Sequence, residues 1–320
     1  MVARLLVLFA LVSLANCTGG GGYSAGPNPP APISHPESSP HANPYAGPQH
    51  AYVDDGFGHV LIYTLPLTPA SVPIGKFYVN GGAHPGCSDN QGRLLVLDGA
   101  FIHVFTQPIS PQSTEAFRLR SPSQSNFRCA VDPAGNLYVP EYSQYGSYMD
   151  VYAAPVEAGS RPVAEIFVEN LPRGVTTDNV GDVFETTEFL FGSTSIQEFS
   201  PRSSGNKLVA TFGIDDQFGG SVGAVGPDGK LYVASIGIDV YLPAAFHNGG
   251  VKDHSIAVKG ANGVISIAFG LNGDMIVTGS VGRYPRVQMR LYVLHPPYAA
   301  PAFSIPTPGL ALFGGIAITQ

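Results

Sequence analysis

Tryptophan is absent, methionine is down to 4 residues, and only 12% of the 320 residues are charged. The 16 Lys and Arg are outnumbered by 23 Asp and Glu, for a net charge of −7, so the basic face that a nucleic-acid binder needs is missing. Scarce charge also disfavours a helical bundle. There is no G-x-S-x-G elbow, no phosphate-binding Gly loop and no H-E-x-x-H zinc helix, which removes the motif-bearing hydrolase, nucleotide-binding and metalloprotease classes. No window after the first 17 residues reaches transmembrane length. What the chain has instead is 39 Gly, 29 Pro, 15 Tyr and 18 Phe, the composition of a sheet protein with many turns.

Residues 1–17, MVARLLVLFALVSLANC, read as an export signal: Arg4 precedes an apolar run from Leu5 to Ala15, too short to span a bilayer. Leu14-Ala15-Asn16-Cys17 resembles a bacterial lipobox, which implies lipidation of Cys17 and attachment to a bacterial cell-envelope membrane through that lipid alone; Asn16 departs from the usual small residue. Cleavage after Ser13-Leu14-Ala15 is the other reading, and leaves a soluble secreted protein. Residues 18–48 are rich in Gly, Pro and Ser and hold too few apolar side chains for a core, so they read as a disordered tether. His35, His41 and His50, in or beside it, read as solvated rather than metal-binding.

From residue 49 to 320 one unit repeats. Its clearest copy is Phe127–Tyr142, FRCAVDPAGNLYVPEY: a short strand, a Pro-Ala-Gly turn and a second strand. The Asp side chain can bond the backbone two residues on, Pro presets φ, and Gly accepts positive φ. Variants recur as SDNQGRLLVLD, TDNVGDVFETT, VGPDGKLYVAS and FGLNGDMIVTG. Aligned on Tyr52, Leu95, Tyr138, Phe184, Tyr232 and Ile276, the copies are spaced 43, 43, 46, 48 and 44 residues apart, the period of propeller blades. A third strand is predicted over 59–65, 101–105, 149–153, 195–199, 238–242 and 290–294. A fourth is predicted over 74–79, 115–119, 164–168, 208–212, 254–258 and 301–305. Several are apolar on both faces, as strands between two neighbouring blades should be. The first copy lacks its inner strand, and FGGIAITQ (Phe313–Gln320) at the far end resembles it. The C-terminus should therefore complete the first blade, closing an all-β ring of six four-stranded blades without exposed edges.

The VDPAGNLYV-type units resemble those of NHL and gluconolactonase-like six-bladed propellers, especially bacterial lipoproteins carrying them; the Gly-His and Trp-Asp marks of WD repeats are absent. In the gluconolactonase-like enzymes a Glu, an Asn and an Asp in the channel hold a divalent metal. That set has no residue-by-residue match here, and the Glu-Gly-Pro entry is missing.

Cys87 and Cys129 fall on inner strands of adjacent blades, offset by one position. In an oxidising compartment they read either as a disulfide or as two buried thiols. At the mouth where loops enter the inner strands, His84, Arg128 and Arg173 could receive an anionic ligand or bond loop carbonyls. The turn acids Asp89, Asp132, Asp178 and Asp228 read as caps for turn amides. Glu141, Glu185, Glu188, Asp54 and Asp55 show no metal-ligand spacing. Apparent insertions at Ser143–Tyr148 and Thr186–Thr194 carry aromatics, of which Tyr142, Tyr145 and Tyr148 are candidate partner contacts and Phe189 and Phe191 read as core.

These features point first to a monomeric, non-catalytic binding or scaffold module for a protein or glycan partner, with no cofactor. The alternative is a metal-dependent lactonase or lyase with Ca or another divalent metal in the channel.

Overall fold

The computed structural model describes residues 47–79, 82, 84–121, 128–143, 146–188, 194–214, 221–242, 250, 252–282, 287–308 and 315–319. The signal-like segment with Cys17, the tether up to residue 46, and Tyr145, Phe189 and Phe191 lie outside them.

Strands β1 (His50–Asp54), β2 (His59–Thr64) and β3 (Gly75–Tyr78) form most of blade 1. Blade 2 is β4 (His84–Ser88), β5 (Leu94–Leu97), β6 (Phe101–Phe105) and β7 (Phe117–Arg120). Blade 3 is β8 (Ala130–Val131), β9 (Leu137–Ser143), β10 (Gly146–Tyr152) and β11 (Ala164–Val168). Blade 4 is β12 (Leu171–Thr177), β13 (Val183–Glu188), β14 (Thr194–Phe199) and β15 (Leu208–Ile214). Blade 5 is β16 (Ser221–Val225), β17 (Leu231–Ala234), β18 (Ile238–Tyr241) and β19 (Lys252–Ile256). Blade 6 is β20 (Gly263–Phe269), β21 (Met275–Val281), β22 (Gln288–Leu294) and β23 (Phe303–Pro306). The last strand, β24 (Ile316–Thr319), pairs antiparallel with β1 and gives blade 1 the order β24-β1-β2-β3. The protein is a six-bladed β-propeller closed by its own C-terminal strand.

The repeat owes its shape to its turn. Asp132 Oδ1 accepts the Asn136 N–H at 2.8 Å, and Asp178 Oδ1 accepts those of Val180, Gly181 and Asp182 at 2.9–3.0 Å. The closing glycines 92, 135, 181, 229 and 273 all sit at φ between 72° and 93°, where a Cβ is strained. Behind each turn the aligned residue is buried: Tyr52, Leu95, Tyr138, Phe184, Tyr232 and Ile276 are all at most 2% exposed. The core is six clusters, one per blade interface, rather than one central mass.

A second repeat lies between the third and fourth strands of blades 1–3: P-L-T-P-A-S from Pro66, P-I-S-P-Q-S from Pro108 and P-V-E-A-G-S from Pro155. In each, the closing serine Oγ accepts the backbone N–H three residues back, at 2.8–2.9 Å. The residue after the proline (Leu67, Ile109 or Val156) is driven into the interface with the preceding blade.

Hydroxyls stitch neighbouring inner strands: Ser88 Oγ donates to Ile318 O at 2.8 Å and Thr177 Oγ1 to Val131 O at 3.0 Å. Cys87 and Cys129 are disulfide-bonded with Cα atoms 5.4 Å apart. The one-position offset between them is absorbed at Gly86, the bulged residue of β4. A Cβ there would lie 2.7 Å from Cys129 Sγ and 2.1 Å from Leu97 Cδ1, so the missing side chain is what lets the sulfur in.

Candidate functional site

The inner strands contact one another in the cyclic order β24, β4, β8, β12, β16, β20, so β8 and β20 face each other across the central channel. Arg128, just before β8, crosses it. Its guanidinium donates to Ser266 Oγ at 3.0 Å and Ile267 O at 2.9 Å, both on β20. Ser266 directly follows the β20 bulge at Ile265. Arg128 is 9% exposed, and burial pulls its guanidinium down to about 10. Both acceptors are neutral; the bond to a carbonyl and a hydroxyl offsets part of its desolvation.

The other two mouth residues are also engaged. His84 Nδ1 lies 3.1 Å from Oδ2 of Asp54, which is 1% exposed and caps Gly56 N–H through Oδ1. Arg173, on β12, pairs with Glu188 on β13. Each of the three thus has a partner of its own: Asp54 for His84, Ser266 and Ile267 for Arg128, and Glu188 for Arg173.

The acids are likewise dispersed. Asp55 caps Phe57 and His59 and meets His59 Nδ1 at 2.9 Å. Glu185 is fully buried between blades 3 and 4, and desolvation raises its carboxyl well above the usual range, against a weaker pull from the Gly174 backbone. Among the described residues no three His, Cys, Asp or Glu side chains lie where they could hold a metal ion.

On blade 3 the cross-strand rank Glu141, Tyr148 and Phe167 forms a row on one face. The stretch Ser143–Tyr148 is not an insertion but the end of a hairpin: Ser143 closes β9, Gly146 opens β10, and Tyr148 pairs with Glu141 inside the ladder. Likewise Thr186–Glu188 belong to β13 and Thr194 opens β14, so that insertion is shorter than its sequence suggests. Tyr148 is opposite Phe167 on β11, and their rings meet edge to face at 6.0 Å. Phe167 is 64% exposed on that face; Tyr142, 46% exposed, pairs with Ser147 and so lies on the opposite face of the blade. Phe167 carries no turn or loop signal in the sequence; its exposure follows from lying on the outermost strand.

Beneath that row sits a buried acid pair. Ser121 Oγ donates to Glu141 Oε1 at 2.6 Å, and Asp150 is hydrogen-bonded to Glu141. Glu141 is 4% and Asp150 1% exposed, and Asp150 Oδ2 has no partner. Burial first, then the neighbouring Glu141 and Glu165 charges, push the Asp150 carboxyl up to about 8.

No family model matches the chain, and no curated protein does. Solved structures do. A protein of unknown function from Bacteroides caccae superposes with a TM-score of 0.64 at 11% identity, over 86% of this chain and 100% of that one. One from Desulfotomaculum acetoxidans, also of unknown function, gives 0.54 at 12%, over 86% and 99%. A protein assigned provisionally as a 6-phosphogluconolactonase, from Bacteroides uniformis, gives 0.56 at 11%, over 82% and 84%. At these identities the likeness is one of fold.

Proposed function

We propose that this propeller is a non-catalytic recognition module of the bacterial cell envelope, of the NHL-like lipoprotein type, exported by residues 1–17. It is held by a lipid on Cys17, with the soluble secreted form as the other outcome. Its partner site is the aromatic row of blade 3. The observation that carries this is the open Phe167 ring, set edge to face against Tyr148 on the same face of the blade and fixed on strands rather than on loops; Tyr142 opens on the opposite face. Rings positioned in advance can stack on a partner with little ordering entropy left to lose. A neutral glycan fits best, since the chain is already net negative and the row is backed by carboxylates. A protein partner is the competing outcome.

The Arg128 strap weighs against the lactonase alternative. A divalent ion about 6 Å from that guanidinium would be repelled by roughly 5 kcal/mol at an effective dielectric near 20. The test is a glycan array probed with the full chain and with Tyr148→Ala and Phe167→Ala variants. Binding lost in both variants supports the reading. Turnover of a sugar lactone dependent on added Ca, Zn or Mn would overturn it.

A further inference from the structure

We propose that the central channel holds a small oxyanion, the carboxylate or phosphate group of a ligand, against the guanidinium of Arg128. The inference goes beyond the recognition reading and uses a different part of the molecule, the channel rather than the outer face of blade 3.

The wall of the channel supplies the first observation. The inner strands β24, β4, β8, β12, β16 and β20 read IAIT, HPGCS, AV, LPRGVTT, SVGAV and GVISIAF, and none of them carries an Asp or a Glu. This holds in a chain whose net charge is −7. Acids appear only in the turns that follow, where Asp89, Asp132 and Asp178 accept turn amides through Oδ1. Three basic side chains stand on or next to these strands. His84 meets Asp54 and Arg173 meets Glu188, so each has an acid beside it. Arg128 has no acid partner among the described residues; its guanidinium bonds go to Ser266 Oγ and Ile267 O.

A guanidinium taken out of water and given only neutral acceptors keeps much of its desolvation cost, because a hydroxyl and a carbonyl bring no opposing charge. Burial pulls Arg128 down to about 10, which leaves it charged at neutral pH. An anion beside it would supply the Coulomb attraction that the described protein groups do not. The donors for one are present. Nη1 and Nη2 each direct one N–H to β20, leaving the Nε–H and a second N–H on each Nη. A carboxylate or phosphate can accept two such bonds at once, and the planar fork of arginine suits that geometry. The cation is also held at both ends. Its neighbour Cys129 is bonded to Cys87, and its guanidinium is tied to β20. Little ordering is then left for the anion to impose. Arg128 is still 9% exposed, so an ion from solvent can reach it.

The experiment is isothermal titration calorimetry of the full chain with sodium phosphate and, separately, sodium acetate, at constant ionic strength set by sodium chloride. It is run on wild type, Arg128→Met and Arg128→Lys, each checked for folding by its urea midpoint. Wild type should bind one oxyanion per chain, and the tighter of the two probes names the group that the channel takes. Arg128→Met keeps the apolar stem and loses the charge, and should bind roughly ten-fold more weakly or worse, the worth of charge-assisted hydrogen bonds. Arg128→Lys keeps the charge and loses the fork, and should fall between the two. No binding of either probe to wild type overturns the proposal and leaves Arg128 as a strap alone. Equal affinity in wild type and Arg128→Met overturns it too. If Arg128→Met does not fold, Arg128→Lys carries the test, and an affinity unchanged from wild type overturns the assignment.

Discussion

Removing the Cys87–Cys129 bridge is the sharpest perturbation of the ring. The two cysteines are 42 residues apart, and the bond ties the inner strands of blades 2 and 3. In the chain-entropy model, cross-linking a loop of that length stabilises the fold by about 4 kcal/mol at 25 °C, by restricting the unfolded chain. The two strands already touch in the ring, so the native state needs no new contact to hold them, and the loss falls on the unfolded side. The assay is urea unfolding of the full chain, oxidised against reduced, followed by tyrosine fluorescence. With a slope of about 3 kcal/mol per molar for a domain this large, the midpoint should fall by roughly 1.3 M. The Cys87→Ala/Cys129→Ala double variant should fall with the reduced protein and no longer respond to reductant. Gly86→Ala offers an independent handle, because its Cβ collides with Leu97 Cδ1 and Cys129 Sγ. That variant should be destabilised by at least 2 kcal/mol and should form the bridge slowly. Coincident midpoints for oxidised and reduced wild type would refute the loop-entropy reasoning.

Other perturbations follow from the same contacts. Asp150 is ionised when unfolded above its ordinary value of 3.8 but protonated when folded up to about 8. The folded state therefore binds the extra proton in that window, and stability falls as pH rises through it, by up to about 1.4 kcal/mol per pH unit. Melting curves of wild type should show that slope between pH 5 and 8, and Asp150→Asn should flatten it. Replacing Leu67, Ile109 or Val156 with Ala, each at most 5% exposed, should cost about 2–3 kcal/mol in denaturant unfolding. Arg173→Ala, which breaks a partly exposed pair with Glu188, should cost under about 1 kcal/mol. Cys17→Ser should abolish incorporation of labelled palmitate when the chain is expressed in a bacterium; labelling that persists points to another acceptor.

Much of the ring was legible because propeller blades repeat locally. The Asp-x-x-Gly turn and the apolar residue behind it lie within one short stretch, and so does the signal for each hairpin. Even the closing strand could be found at a distance, since Ile316–Thr319 resembles the inner strand that the first copy lacks. The P-x-x-x-x-S repeat after the third strands was equally visible as sequence; it goes unread when alignment is confined to the turn unit. The candidate site is different in kind, because its chemistry depends on which chain segments meet. Arg128 looks like an open mouth residue until the ring order places Ser266 and Ile267 opposite it, 138 and 139 residues away. His84 looks free until Asp54, 30 residues earlier, is brought to its Nδ1. Glu141 and Asp150 become a pair only once the β9–β10 register sets Asp150 opposite Val139, one rank below Glu141. The acids that matter are thus the ones whose neighbours the fold chooses. In this ring the channel is strapped by a cation, while Glu141 and Asp150 are buried on the same blade face as Tyr148 and Phe167.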